Sequence, residues 1–198
     1  MTQDPKTLVF CYDYVSPNAY LAWKRLPDLA QRTGLTIEPR PILLGGLFKL
    51  AGNVSPASNP AKARNMMRDI QRFCALYKIP MAFNPHFPFN SLHMMRAAVA
   101  AKQEGNLEAL DKALFEGIWE KGLNPTDPQA LAAALTEAGL DPAHLMARAQ
   151  EPAIKDGLKA NTQQTADQGG FGAPTFFLGQ EMFFGQDRLD LIEHAANG

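Results

Sequence analysis

Leu8-Val9-Phe10-Cys11-Tyr12-Asp13-Tyr14 runs into Val15-Ser16-Pro17-Asn18-Ala19-Tyr20-Leu21-Ala22-Trp23, and the passage between the two decides how the chain folds. The first half is rich in β-branched and aromatic residues and reads as a strand. The second opens with a helix N-cap residue and then proline at the first helical position, where a missing N–H costs nothing. A strand therefore delivers the Ser16 hydroxyl to the mouth of a helix. Unpaired N–H groups and the positive end of the helix dipole favour an anion at such a mouth. Ser16 is thus either a cap and no more, or a cap that also faces a phosphate, a carboxylate or a bound thiolate.

Near the other end the chain reads Gly169-Gly170-Phe171-Gly172-Ala173-Pro174-Thr175-Phe176-Phe177-Leu178-Gly179-Gln180-Glu181-Met182-Phe183-Phe184-Gly185-Gln186-Asp187-Arg188. Two short apolar strands flank a turn at Gly179-Gln180, which predicts a hairpin, and a final helix follows Gly185. Pro174 stands directly before the third strand, so the Ala173-Pro174 bond is a candidate for the cis form. A βαβ start and a ββα finish, with proline ahead of the third strand, outline an α/β fold of thioredoxin-like type. In that fold the proline loop faces the N-terminus of the first helix.

Between these ends, the first helix is expected from Pro17 to about Thr33 with Gly34 ending it, and Leu35 to Ile42 alternates as a second strand. Gly45 to Pro60 reads as a long loop, of a length that often carries function in a compact domain. Helical periodicity returns from Ala61 to Tyr77, with Met66, Ile70, Phe73 and Tyr77 on one face. Asn84 to Asn90 is rich in turns. From Ser91 to Gln150 breaks at Gly105-Asn106, Gly122 to Pro125 and Gly139 to Pro142 separate three or four helices. Met94, Met95, Ala97, Ala98 and Ala101 are read as core. Asp127 and Asp141, each before a proline, start helices. The expected organisation is a split α/β domain, residues 1–60 and 152–198, around an inserted all-α domain, residues 61–151.

Composition narrows the function. The 198 residues are 46% hydrophobic with a net charge of -1, so a packed core is expected and a nucleic-acid partner is not. No stretch has membrane-spanning length, and residues 1–6 lack the apolar core of a signal peptide, which leads to the expectation of a cytoplasmic protein. The two cysteines, Cys11 in a strand and Cys74 in a helix, do not suit a disulfide framework and are expected to be buried thiols. The four histidines are dispersed, so no metal site is expected. Ser16 lies outside any Gly-x-Ser-x-Gly elbow, which argues against a serine hydrolase. The first helix also lacks Cys-x-x-Cys, its equivalent positions being Ser16 and Ala19, which excludes dithiol redox cycling.

Four separated motifs carry a resemblance that spans the chain in order: Asp13 to Ala22, Gly52-Asn53, Phe171 to Phe176, and Phe184 to Leu189. Together they are similar to the 2-hydroxychromene-2-carboxylate isomerases, relatives of the kappa-class glutathione transferases with a DsbA-like thioredoxin fold and a helical insertion. The resemblance implies glutathione as cofactor, with the Ser16 hydroxyl facing its sulfur and favouring the thiolate. It implies that Ala173, before Pro174, pairs through its backbone with the cysteinyl part. Phe184, Gly185, Gln186 and Asp187 fall where the γ-glutamyl end is held, with Asp187 facing the ammonium. Asn53, Asn59, Lys62, Phe89 and Asn90 fall where relatives bind the electrophile, Lys62 as a receiver for a carboxylate or an enolate. Phe89 is a departure, standing where some isomerases have an aromatic hydroxyl.

The implied reaction is reversible thiol addition to a small aromatic carboxylate, with bond rotation and elimination giving trans-o-hydroxybenzylidenepyruvate, in a homodimer. A kappa-like transferase or peroxidase is the neighbouring alternative, distinguished by whether glutathione is consumed. A binding or chaperone-like protein with an inactive thioredoxin site is a third, distinguished by failure to bind glutathione.

Overall fold

The computed structural model describes residues 6–198. Residues 1–5, on which the signal-peptide expectation largely rests, lie outside them. Strand β1 (Thr7–Tyr12) leads to α1 (Pro17–Thr33), β2 (Thr36–Pro41) and a short α2 (Leu44–Leu50). Helices α3 (Pro60–Tyr77), α4 (Leu92–Glu104), α5 (Leu107–Trp119), α6 (Pro128–Glu137), α7 (Pro142–Arg148) and α8 (Pro152–Asp167) follow. The hairpin β3 (Thr175–Leu178) and β4 (Glu181–Phe184) and the last helix α9 (Leu189–Asn197) complete the described chain. The sheet order is β2-β1-β3-β4. β1 runs parallel to β2, with Val9 opposite Glu38, and antiparallel to β3, with Phe10 opposite Phe176.

Alternation along β1 splits the core in two. Leu8, Phe10 and Tyr12 join the larger cluster with α1, α4, α5 and α9, whereas Val9 and Cys11 pack with Ile42, Leu47 and Phe177 on the other face. The central strand is therefore buried on both sides, as its continuous apolar run demands. Helix α1 ends on Gly34 at φ 70°, a left-handed position that favours glycine. Met94, Met95, Ala97, Ala98 and Ala101 are all buried on α4. Asp127 and Asp141 cap α6 and α7 through their side chains. Among the described residues no helix is long and apolar enough to cross a membrane.

Three expectations need correction. The stretch from Gly45 to Pro60 is not one long loop, because α2 and a single 3-10 turn at Pro56–Ser58 form within it. Two glycines lower the helix propensity of α2, but burial of Leu47 and packing on α8 override it. The final helix begins with a 3-10 turn at Gln186–Arg188 before α9. Cys74 is only half-buried, beside Met81 at 3.6 Å between sulfurs, while Cys11 is fully buried under Thr165.

Candidate functional site

The strand-to-helix passage at β1 and α1 brings Ser16 against the loop before β3. Ser16 Oγ accepts from Ala19 N at 3.2 Å, which makes it the N-cap, and donates to Ala173 O at 3.0 Å. The capping role of this serine is therefore observed, and its hydroxyl also faces the proline loop. The Ala173–Pro174 peptide is cis, as is Phe87–Pro88. Gly185 N donates to Pro174 O, and Thr175 Oγ1 donates to Gly172 O, so hydrogen bonds fix the loop from both sides. At Gly172 a Cβ would stand 2.6 Å from the Phe184 ring, so only glycine lets this backbone approach the aromatic so closely.

Two cavities meet here, sharing Asn18, Pro56, Met66, Ala173 and Phe184 in their walls. The first, about 450 Å³, holds Ser16 and is closed by Asn53, Phe87, Phe89 and Asn90; no charged side chain is among its described lining residues. The second, about 670 Å³, is lined by Pro174, Gly185, Gln186, Asp187 and Arg188 from one side and by Lys62, Asn65 and Asp69 of α3 from the other. One is neutral and the other carries both signs of charge.

The residues expected to bind the electrophile are divided between them. Asn53, Phe89 and Asn90 line the neutral cavity; Lys62 lines the charged one. Asn53 Nδ2 donates to Phe171 O at 2.8 Å, tying its loop to the proline loop. Asn90 Oδ1 accepts from Leu92 N at the start of α4, and Phe89 packs against Trp119. Asn59 lines neither cavity. Its Oδ1 accepts from Ala61 N and Lys62 N, so it serves as the N-cap of α3.

At the glutamyl end, Asp187 Oδ2 pairs with Arg188 at 2.9 Å, and Gly185 sits at φ 109° with Asp187 Oδ1 crowding its missing Cβ. Gln186 is 2% exposed, and its Oε1 accepts no hydrogen bond. A buried acceptor without a donor is costly, and such groups in native proteins call for a partner. Arg25 of α1 holds the Gln186 carbonyl at 3.0 Å while stacking over Tyr77. Ala173 and Phe184 line the same cavity as Ser16, and they line the neighbouring one together with Gly185, Gln186 and Asp187.

Asp13 had no role assigned from the sequence. It is fully buried, its Oδ2 accepts from Leu44 N at 2.8 Å and its Oδ1 from Val15 N at 3.1 Å, and the Ser91 side chain adds a third bond. Asp13 therefore clamps the start of α2, the start of α4 and the turn carrying Ser16. Burial pushes its carboxyl up to about 6 against the lowering effect of these bonds. A carboxylate at the end of an apolar strand, Tyr12-Asp13-Tyr14, was the available signal. Deeper in, Tyr12 and Tyr14 both donate to Asp111 Oδ1, at 2.7 and 2.6 Å, and burial raises that carboxyl to about 7.

Comparison with known proteins identifies the family and the fold. The model of the DSBA-like thioredoxin domain matches residues 7–197. The chain is 36% identical over 190 residues to the 2-hydroxychromene-2-carboxylate isomerase of Sphingobium xenophagum, covering 95% of this chain and 96% of that one. It is 28% identical over 204 residues to glutathione S-transferase kappa 1 of Rattus norvegicus, covering 96% and 90%. A solved structure of 2-hydroxychromene-2-carboxylate isomerase superposes with a TM-score of 0.86 at 31% identity, covering 96% of this chain and 94% of that one.

Proposed function

Because the chain belongs to the 2-hydroxychromene-2-carboxylate isomerase family, within the DSBA-like thioredoxin proteins, we propose that it is a glutathione-dependent cis-trans isomerase of an unsaturated aromatic carboxylate. The observation that carries this reading is Ser16. Its hydroxyl lies 3.0 Å from Ala173 O at the mouth of α1, where a neutral cavity adjoins a charged one.

The residues of the charged cavity fit glutathione. The tripeptide has two carboxylates and one ammonium, and Arg188 and Asp187 offer opposite charges, which leaves Lys62 for the electrophile. The unpartnered Gln186 Oε1 would accept an N–H there. When bound, glutathione would supply a thiolate whose reversible addition to a conjugated double bond permits rotation about it, so the cofactor is not consumed. Ser16 would turn its hydroxyl from Ala173 O toward that sulfur, since a hydroxyl hydrogen rotates to suit its acceptor. The N-terminus of α1 adds its dipole in the same direction. Ala173 O, released, would accept an N–H from the ligand in the manner of an added strand. Phe87 and Phe89 would pack the flat ring and keep water from the reacting carbons. With Lys62 in the other cavity, the substrate carboxylate would lie at the junction of the two, and Asn53 and Asn90 would orient what projects deeper.

The test is an assay with 2-hydroxychromene-2-carboxylate. Turnover should vanish when glutathione is withdrawn and return on its addition, with total glutathione unchanged after many turnovers. Activity in thiol-free buffer would overturn the proposal.

A second reading, a transferase, is favoured by one observation: the cavity facing Ser16 has no cation among its described lining residues, which suits a neutral electrophile. Stoichiometric loss of glutathione with such an electrophile would support it.

A further inference from the structure

The groove between α2, α4 and α8 carries chemistry that the proposed reaction does not use. It encloses about 650 Å³, within the range of small-ligand sites. Leu50 and Leu92 contribute apolar surface, while Lys49 of α2, Arg96 of α4, and Lys155 and Lys159 of α8 supply four cations against the single acid Asp156. None of these four side chains makes a hydrogen bond or ion pair among the described residues, and the Arg96 Nε is shut off from solvent with no acceptor. Lys155 and Lys159 are four apart on one helix, a spacing at which like charges repel. Arg96 and Lys49 line the same groove, and among the described residues no carboxylate pairs with any of the four. Such an arrangement is stabilised by an anion, and Arg is the side chain suited to bidentate carboxylate recognition.

We propose that this groove is a second ligand site, for a small aromatic monocarboxylate whose ring lies on Leu50 and Leu92 and whose carboxylate meets Arg96, Lys155 and Lys159. The apolar surface sets the class: a fully hydrated inorganic anion gains nothing from leucine. The site needs neither Ser16 nor glutathione. Leu43 and Gly46 of the groove also line the Ser16 cavity, so an occupant would rest on the far side of the same segment.

Calorimetric titration of naphthoate into the full chain at low salt, with the neutral naphthamide and inorganic phosphate as comparison probes, tests the proposal. Naphthoate should bind at least tenfold more tightly than either, and affinity should fall as salt rises. Lys155→Gln/Lys159→Gln should weaken naphthoate at least tenfold while leaving the melting temperature close to wild type. Arg96→Gln is a second variant with the same expected direction. Methyl NMR should place the probe at Leu50 and Leu92. Equal affinity for naphthamide or phosphate, undiminished binding in the double lysine variant, or shifts confined to Met66 of the Ser16 cavity would overturn it. So would a change of oligomeric state in the double variant, which would assign the groove to a contact between copies. Because every readout is binding without glutathione, failure here leaves the isomerase proposal standing, and the reverse holds.

Discussion

The two cavities that share Ala173 and Phe184 are built from opposite chemistry. The one at Ser16 is closed by aromatic, proline and amide side chains and holds no charge among its described lining residues, while its neighbour gathers Lys62, Asp69, Asp187 and Arg188. The difference teaches how such a site divides its work. On the proposed reading a zwitterionic ligand would be held where charges can meet it, and the reacting anion would sit where few dipoles compete, so each oriented donor has a larger effect. A Ser16 hydroxyl in the neutral cavity should therefore matter more to rate than a carboxylate in the charged one.

The largest expected effect breaks the neutral side directly. Ser16→Ala should lower glutathione-dependent turnover by about 100-fold, the scale for removing one oriented donor. Ser16→Cys should not restore it. Steady-state kinetics at saturating glutathione measure this, and full activity in the alanine variant would leave Ser16 a cap alone.

The neutral cavity also rests on a buried carboxyl, and pH probes it. Asp13 is raised in the folded protein to about 6 from an ordinary value near 3.8. Folding thus binds a proton between those values, so the Asp13 contribution is fully present below about pH 4 and is lost as pH rises through 6. Asp111, raised to about 7, acts with the same sign over a slightly wider window. Asp13→Asn should flatten the decline in stability between pH 4.5 and pH 7.5 by on the order of 2 kcal/mol. Denaturant unfolding at the two pH values provides the comparison. An unchanged slope would mean that Asp13 is ionised throughout.

On the charged side, Asp187→Ala should weaken glutathione binding by about tenfold, within the range for a charge-assisted hydrogen bond. The melting temperature should change little. Calorimetry beside a melting curve separates the two, and unchanged affinity with a lowered melting point would reduce Asp187 to a structural role.

The smallest effects concern the thiols. Cys11 lies on the sheet face packed by α8, and Cys74 lies on α3, outside the walls described for both cavities. Cys11→Ala and Cys74→Ala should each retain activity within about twofold in folded protein. Loss through chemistry at either sulfur would contradict a site whose sulfur comes from the ligand.

Much of this molecule follows from local pattern. The apolar run of β1, the Ser16-Pro17 helix start, Gly34 at the helix end, the Gly179-Gln180 hairpin and the aspartate caps of α6 and α7 are each read from a few neighbouring residues, because caps, turns and strand periodicity are short-range physics. Four separated motifs in one order were enough to identify the family. Tertiary structure decided the rest. Helix α2 forms against its glycines because Asp13 holds Leu44 N and Leu47 is buried, contacts between residues far apart in the chain. Lys62 and Asn53 fall in different cavities because tertiary packing, not sequence spacing, sets which side chains meet, while Asn59 caps α3. Likewise Asp13, an ordinary acid in sequence, becomes a buried clamp only when Leu44 and Ser91, distant in the chain, join its neighbour Val15 in donating to it. Local chemistry chose the elements; burial and long-range contact chose what each polar group faces.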